Sequence, residues 1–237
     1  KRYNQAKNIL VSALNNQILN DGCHVSKQPS ITLDILTDLI WIKNALNEND
    51  ALLEIIDNNI TKISHAIRSL RLGDGTLVRI NGGRSYSRDA IDKVLEKTGI
   101  KLRSRISSSL TTSGYERLAS GRSIIIMDCS HKNKYGSNGA LSFEMSIGRD
   151  RLIVNCGPTP NNDITWQKAL ASSAAHSCLV INNTNSSSIN NKRETKINVS
   201  REVTSGFEII SASHNGYESL YSAIHKRALK LDSRGML

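Results

Sequence analysis

The chain has 237 residues, 38% hydrophobic and 22% charged, which gives enough apolar side chains for a substantial core and too few charges for a disordered chain. No window approaches the ~18 uninterrupted apolar residues of a membrane span, so none is expected, and no arginine-rich tract, zinc-finger spacing or ribonucleoprotein signature points to nucleic acid. The net charge of +10 is uneven: residues 1–72 hold eight Lys/Arg against seven Asp/Glu, while the rest hold 23 against 14, so the later part suits a polyanionic partner or is a basic solvated surface.

The first third reads as helix. Ile9, Leu10, Leu14, Ile18 and Leu19 recur at helical spacing over residues 5–20, until Asp21-Gly22 breaks the pattern. A second stretch, 31–47, is apolar on more than one side, as for a helix lying between neighbours. A third, 50–72, carries Ile56, Ile60, Ile63 and Ile67. Three helices with short turns form α-hairpins but make a poor closed domain, so further helices are expected before residue 1. No signal-peptide pattern opens the chain, which reads as either cytoplasmic or beginning downstream of its true start, the second being preferred.

At Gly73-Asp74-Gly75 the period changes. Leu77–Asn81 reads as a strand, followed by the Gly82-Gly83 turn and a short helix near 88–98. Beyond residue 103 the pattern is strand–turn–strand, with strands expected over Ser123–Asp128, Ala140–Ile147, Arg151–Asn155, Ser177–Asn182, Thr195–Val203, Phe207–Ser213 and Leu220–Leu231. Asp163–Ala174 looks like an inserted helical turn, with Trp166 in core or interface, and 182–191 is a Ser/Asn-rich loop. Residues 229–237 read as a strand, a turn and the start of a partner strand. Helices first and strands afterwards argue for an α+β, multidomain chain: helical residues 1–72, then an antiparallel β-sandwich over 73–237.

Several residues have chemistry to offer. Arg79, Arg84 and Arg88, flanking the Gly82-Gly83 turn, suit a fork onto a carboxylate or sulfate, or else are solvated cations. The basic loop 132–138, with Lys134 and Tyr135, suits carboxylate attraction and sugar stacking, the alternative being a plain surface loop. Cys23, Cys129, Cys156 and Cys178 form no Cys-x-x-Cys pair, which excludes a zinc ribbon or thioredoxin-like site; the last three sit in strand-like runs, where buried free thiols are expected, and disulfides stay open.

Asp21-Gly22-Cys23-His24-Val25-Ser26-Lys27-Gln28-Pro29, Gly73-Asp74-Gly75-Thr76-Leu77, Gly114-Tyr115-Glu116-Arg117-Leu118, Leu141-Ser142-Phe143-Glu144-Met145, Val154-Asn155-Cys156-Gly157, Ala175-His176-Ser177 and Ser213-His214-Asn215-Gly216-Tyr217, in that order over about residues 10–231, resemble the heparinase II/III family, in particular its alphaproteobacterial branch. The resemblance implies the C-terminal helices of an (α/α) toroid followed by an antiparallel β-sandwich. It further implies β-elimination on an acidic, uronate-containing polysaccharide, in the periplasm or cell envelope and without a cofactor.

Such a reaction neutralises the uronate carboxylate, removes the adjacent proton and protonates the leaving oxygen. By the resemblance, the carboxylate-neutralising residue lies on a helix before residue 1, the acid–base tyrosine falls at Ile31 and the base histidine at Tyr135. The candidate catalytic set is therefore Tyr135, His176 and His24, with Arg79, Arg84, Arg88 and Lys134 as substrate-binding candidates. His24 is otherwise a solvated loop histidine and His176 a structural one. Zinc positions of some relatives fall at Ser137, Asn155 and His176, too poor a ligand set for tight binding, so no metal is expected. The substitutions at Ile31 and Ser137 leave a second reading open: a catalytically degenerate glycan-binding or envelope-structural protein of the same fold.

Overall fold

The structure, a computed structural model, describes residues 2–101, 106–130, 137–158, 163–186 and 195–237. Helices α1 (Arg2–Gln17), α2 (Pro29–Ala45) and α3 (Leu52–Ser69) come first, followed by the short α4 (Arg88–Lys97). Their ends follow local chemistry. Pro29 opens α2, where its missing N–H costs nothing, and the Ser87 hydroxyl caps α4 by accepting from the Ala90 N–H at 3.2 Å. On α3 the isoleucines at 56, 60, 63 and 67 fall on one face and all are buried.

Strands β1 (Ser109–Leu110), β2 (Tyr115–Ser120), β3 (Ser123–Asp128), β4 (Phe143–Ile147) and β5 (Asp150–Ile153) form one sheet in chain order. After α5 (Ile164–Leu170), strands β6 (Ile197–Val203), β7 (Phe207–His214) and β8 (His225–Asp232) form a second, with α6 (Glu218–Tyr221) between β7 and β8. Every strand pair is antiparallel. Among the described residues no helix is long and apolar enough to cross a membrane.

Two cores divide the faces of the first sheet. Ile126 and Tyr115 point toward the helices, joining Leu36, Ile63, Ile67, Leu77, Val78 and Ile91 in one cluster. Ile125, Met127 and Leu118 point the other way and meet Ile210, Leu229 and Leu231 of the second sheet. Successive residues of β3 thus serve different cores, as the two-residue period of a strand dictates. The layers run helices, five-stranded sheet, three-stranded sheet, so the first core crosses residue 72 and ties the helical part to the sandwich.

Some expected elements differ in detail. Leu77–Asn81 makes only one bridge, Arg71 with Leu77, because its amides go elsewhere: Val78 N–H donates to the Leu70 carbonyl and Arg79 N–H to the Glu144 carboxylate. Ser177–Asn182 is not a strand; Ser177 turns its hydroxyl onto the backbone of Phe143, and Ile181 forms only a bridge with Thr184. The expected strand from Leu220 begins at His225, after α6 and the left-handed Ser222 (φ 50°). Trp166 stands exposed on α5 rather than in a core. All four cysteines are free thiols: Cys23 and Cys129 buried, Cys178 half-buried and Cys156 exposed.

Candidate functional site

The loop between α1 and α2 carries His24. Gly22 (φ 88°) allows it to sit tight on α3, where a Cβ would fall 2.2 Å from the Lys62 carbonyl oxygen. Asp21 anchors it, accepting from the Cys23 N–H at 3.2 Å and the Ser113 N–H at 2.6 Å. The His24 Nδ1 accepts from the Ser26 N–H at 3.1 Å, and its Nε2 reaches Gln17 Oε1 at 3.4 Å. Burial lowers the His24 pKa, so the ring is neutral and serves as a local brace of the loop.

Next to this loop lies a polar cluster with no counterpart among the sequence candidates. The Lys27 carbonyl accepts from Asn81 Nδ2 at 3.1 Å and from the Tyr115 hydroxyl. Asp128, closing β3, accepts from the Ser130 N–H at 2.9 Å. Burial pushes the Asp128 carboxyl and the Tyr115 hydroxyl up and the Lys27 amine down, with the Asp128 and Asp21 charges resisting the fall of Lys27. The signals in the sequence were an acid ending the apolar run Ile124–Met127 and the presence of Lys27 and Tyr115 in the stretches that carry the resemblance.

The second half of the site is built on Glu144, fully buried in the middle of β4. Its Oε1 accepts from the Arg79 N–H at 2.9 Å and the Asn155 N–H at 3.1 Å, and its Oε2 lies 3.1 Å from Arg151 Nη1. Burial raises its carboxyl pKa, and the Asn155 amide and Arg151 oppose the rise. Arg151 continues to Asp74 at 2.8 Å, joining the Gly73-Asp74-Gly75 turn to the sheet. Asn155 Oδ1 accepts from the Ser177 N–H at 3.1 Å, which sets residues 155–156 beside 175–177. There the His176 ring lies against Gly139. Asn155 Nδ2 and both His176 ring nitrogens are buried and meet no partner in good hydrogen-bond geometry among the described residues. Burial lowers the His176 pKa, against a smaller pull from the Leu170 backbone, so the imidazole is neutral at neutral pH. Its basic nitrogen keeps a lone pair next to the Asn155 amide donor, while the Leu170 backbone favours its protonated form.

The three arginines meet different partners. Arg79 gives its backbone N–H to Glu144 and lays its side chain against Gly157; Arg84 pairs with Asp34 of α2 at 2.5 Å; Arg88 pairs with Asp92 at 3.2 Å. Lys134 and Tyr135 lie outside the described residues. Zinc does not fit at Ser137, Asn155 and His176: the amide oxygen of Asn155 is taken by Ser177, leaving one imidazole and one hydroxyl as donors.

A family pattern described as heparinase II/III-like, C-terminal, matches residues 102–237. FtsZ-localized protein C of Caulobacter vibrioides is 29% identical over 157 residues, 64% of this chain and 27% of that protein. A mutant of the heparan sulfate lyase HepC from Pedobacter heparinus superposes with a TM-score of 0.77 at 13% identity, over 96% of this chain and 39% of that one. Heparinase III gives 0.73 at 15% identity, over 94% and 40%. At such identities the likeness is one of fold. The chain spans about a quarter of the length of the curated relative and about two fifths of each of these two solved chains.

Proposed function

Because the chain belongs to the heparinase II/III-like family, we propose that it is the C-terminal part of a polysaccharide lyase that acts on an acidic, uronate-containing glycan in the periplasm or cell envelope, residues 1–72 ending its toroid and 73–237 forming its sandwich. The observation that carries the reading is the likeness over 96% of the chain to a heparan sulfate lyase, joined to a sandwich half bearing 23 basic against 14 acidic residues. In β-elimination a base takes the proton beside the uronate carboxylate, that electron pair becomes the new carbon–carbon double bond, and the C4–O bond breaks as its oxygen is protonated. Tyr135 is assigned the acid–base role, since a phenol with pKa about 10 is a competent acid, and its neighbour in sequence, Lys134, is a residue type whose charge favours an ionised phenol. Asn155 and the neutral His176 are assigned the roles of amide donor and basic lone pair, Arg79 that of meeting the glycan charge, and His24 that of holding its own loop. The test is ultraviolet absorbance of unsaturated uronate when the full-length protein meets a panel of acidic glycans. A rise that Tyr135→Phe abolishes supports the reading; no rise on any uronate glycan rejects it.

One observation favours a second reading, a degenerate glycan-binding or envelope-structural protein. The residue at the expected acid–base position of α2 is Ile31, which transfers no proton. The name of the Caulobacter relative, FtsZ-localized, gives that protein a location and no reaction, which suits a non-catalytic role. Binding to the same glycans with no unsaturated product selects this reading.

A further inference from the structure

A recess of about 750 Å³ opens where the end of α3, α4 and the β4–β5 turn meet. Arg68, Arg71, Arg88, Lys101 and Arg149 bring five cationic side chains to it, against the carboxylates of Asp92 and Glu96. Asp92 splits its oxygens between two of them, 2.7 Å from Arg71 Nη2 and 3.2 Å from Arg88 Nε, and Arg71 Nε donates to the Gly75 carbonyl at 2.7 Å. The two guanidiniums are thereby fixed side by side. Gly75 leaves them room, because a Cβ there would fall 2.9 Å from Arg71 Nη2 and 2.9 Å from Arg88 Cγ. Arg68, 7% exposed, donates to the Ile100 carbonyl at 3.0 Å, which holds its guanidinium at the recess. Exposed Lys101 and Arg149 join no ion pair among the described residues.

The chemistry selects the ligand. Among the described residues no aromatic ring lines the recess, so these offer no platform for a sugar face. Preorganised guanidinium forks, flanking lysine and glycine backbone suit a tetrahedral oxyanion with several charges. We propose that this recess binds a phosphate-type anion of more than one charge, a diphosphate or a clustered phosphate head group, at a site whose described lining includes neither Asn155 nor His176. Filling it relieves the repulsion between the adjoining Arg71 and Arg88 guanidiniums, which share the one Asp92 carboxylate.

Calorimetric titration of the full chain with inorganic pyrophosphate at low salt tests this. Wild type is expected to bind, Lys101→Glu with Arg149→Glu to lose at least about tenfold in affinity, and Glu96→Gln, which removes a like charge from an exposed position, to gain about twofold. The substituted side chains are exposed, so circular dichroism and melting temperature are expected to stay at wild-type values. Sedimentation with phosphatidylglycerol against phosphatidylcholine vesicles separates the sources: capture by the former, released by pyrophosphate, assigns a lipid head group, and pyrophosphate binding without capture assigns a soluble phosphate. No pyrophosphate binding by wild type, or the same affinity in the folded double variant, overturns the proposal.

Discussion

Arg151 is the side chain on which the turn and the sheet most depend. It joins Asp74 at 2.8 Å, the fully buried Glu144 at 3.1 Å and the Leu77 carbonyl at 2.8 Å. Arg151→Met is expected to cost about 3 kcal/mol or more, read as a shift in denaturant midpoint, because it strands a buried carboxylate. The sequence displayed Glu144 and Arg151 as charges in strand-like runs, but their partners lie up to 77 residues away, a distance that no local pattern spans. His214 and His225 form the other buried pair, Nε2 to Nδ1 at 2.9 Å; His214 Nδ1 accepts from the Gly216 N–H, so its Nε2 donates. Burial, then the His225 and Arg227 charges, lowers His214 from 6.5 to about 4, and burial also lowers His225. A histidine whose pKa is depressed on folding gives stability that is fully present above its unfolded value and is lost as pH falls through its folded value. Stability is therefore expected to drop between neutral pH and about pH 4 by on the order of 2 kcal/mol from this pair, with a flatter pH profile of melting temperature in His214→Gln.

At the level of elements, helices were the most legible part. The isoleucines of α3 recur on one face, and Ile56→Ala, at a site with no exposure, is expected to cost about 2–4 kcal/mol by thermal or chemical denaturation. The linker from Gly73 to Asn81 misled, since its apolar residues look strand-like while its amides bond to a loop carbonyl and a carboxylate. Gly73 lies so near the β4–β5 turn that a Cβ would fall 1.7 Å from the Gly148 carbonyl oxygen. Gly73→Ala is expected to displace that turn and lower stability by about 2 kcal/mol or more, whereas exposed Gly206, with open space around it, is expected to accept alanine within about 0.5 kcal/mol. Between the sheets, Arg201 of β6 reaches Glu116 of β2 at 2.6 Å, a clip that alternation alone did not disclose, because a cation on an edge strand looks solvated.

For the whole molecule, the switch of hydrophobic period near residue 75 gave the order of layers, while the candidate site needed coordinates: Asn81, Tyr115, Asp128 and Glu144 come from separate strands and loops and share no motif. The donor set at Ser137, Asn155 and His176 carries its own expectation. A chelator is expected to leave the melting temperature of the full chain unchanged within about 1 °C, since a structural zinc would contribute far more. Strand β3 has a last consequence. Ile125 and Ile126 are adjacent, both without exposure, yet each belongs to a different core. That strand is a party wall: neither neighbour can be demolished without baring one side of it to water. Ile125→Ala and Ile126→Ala are thus expected to lower the same single melting transition rather than to split it in two.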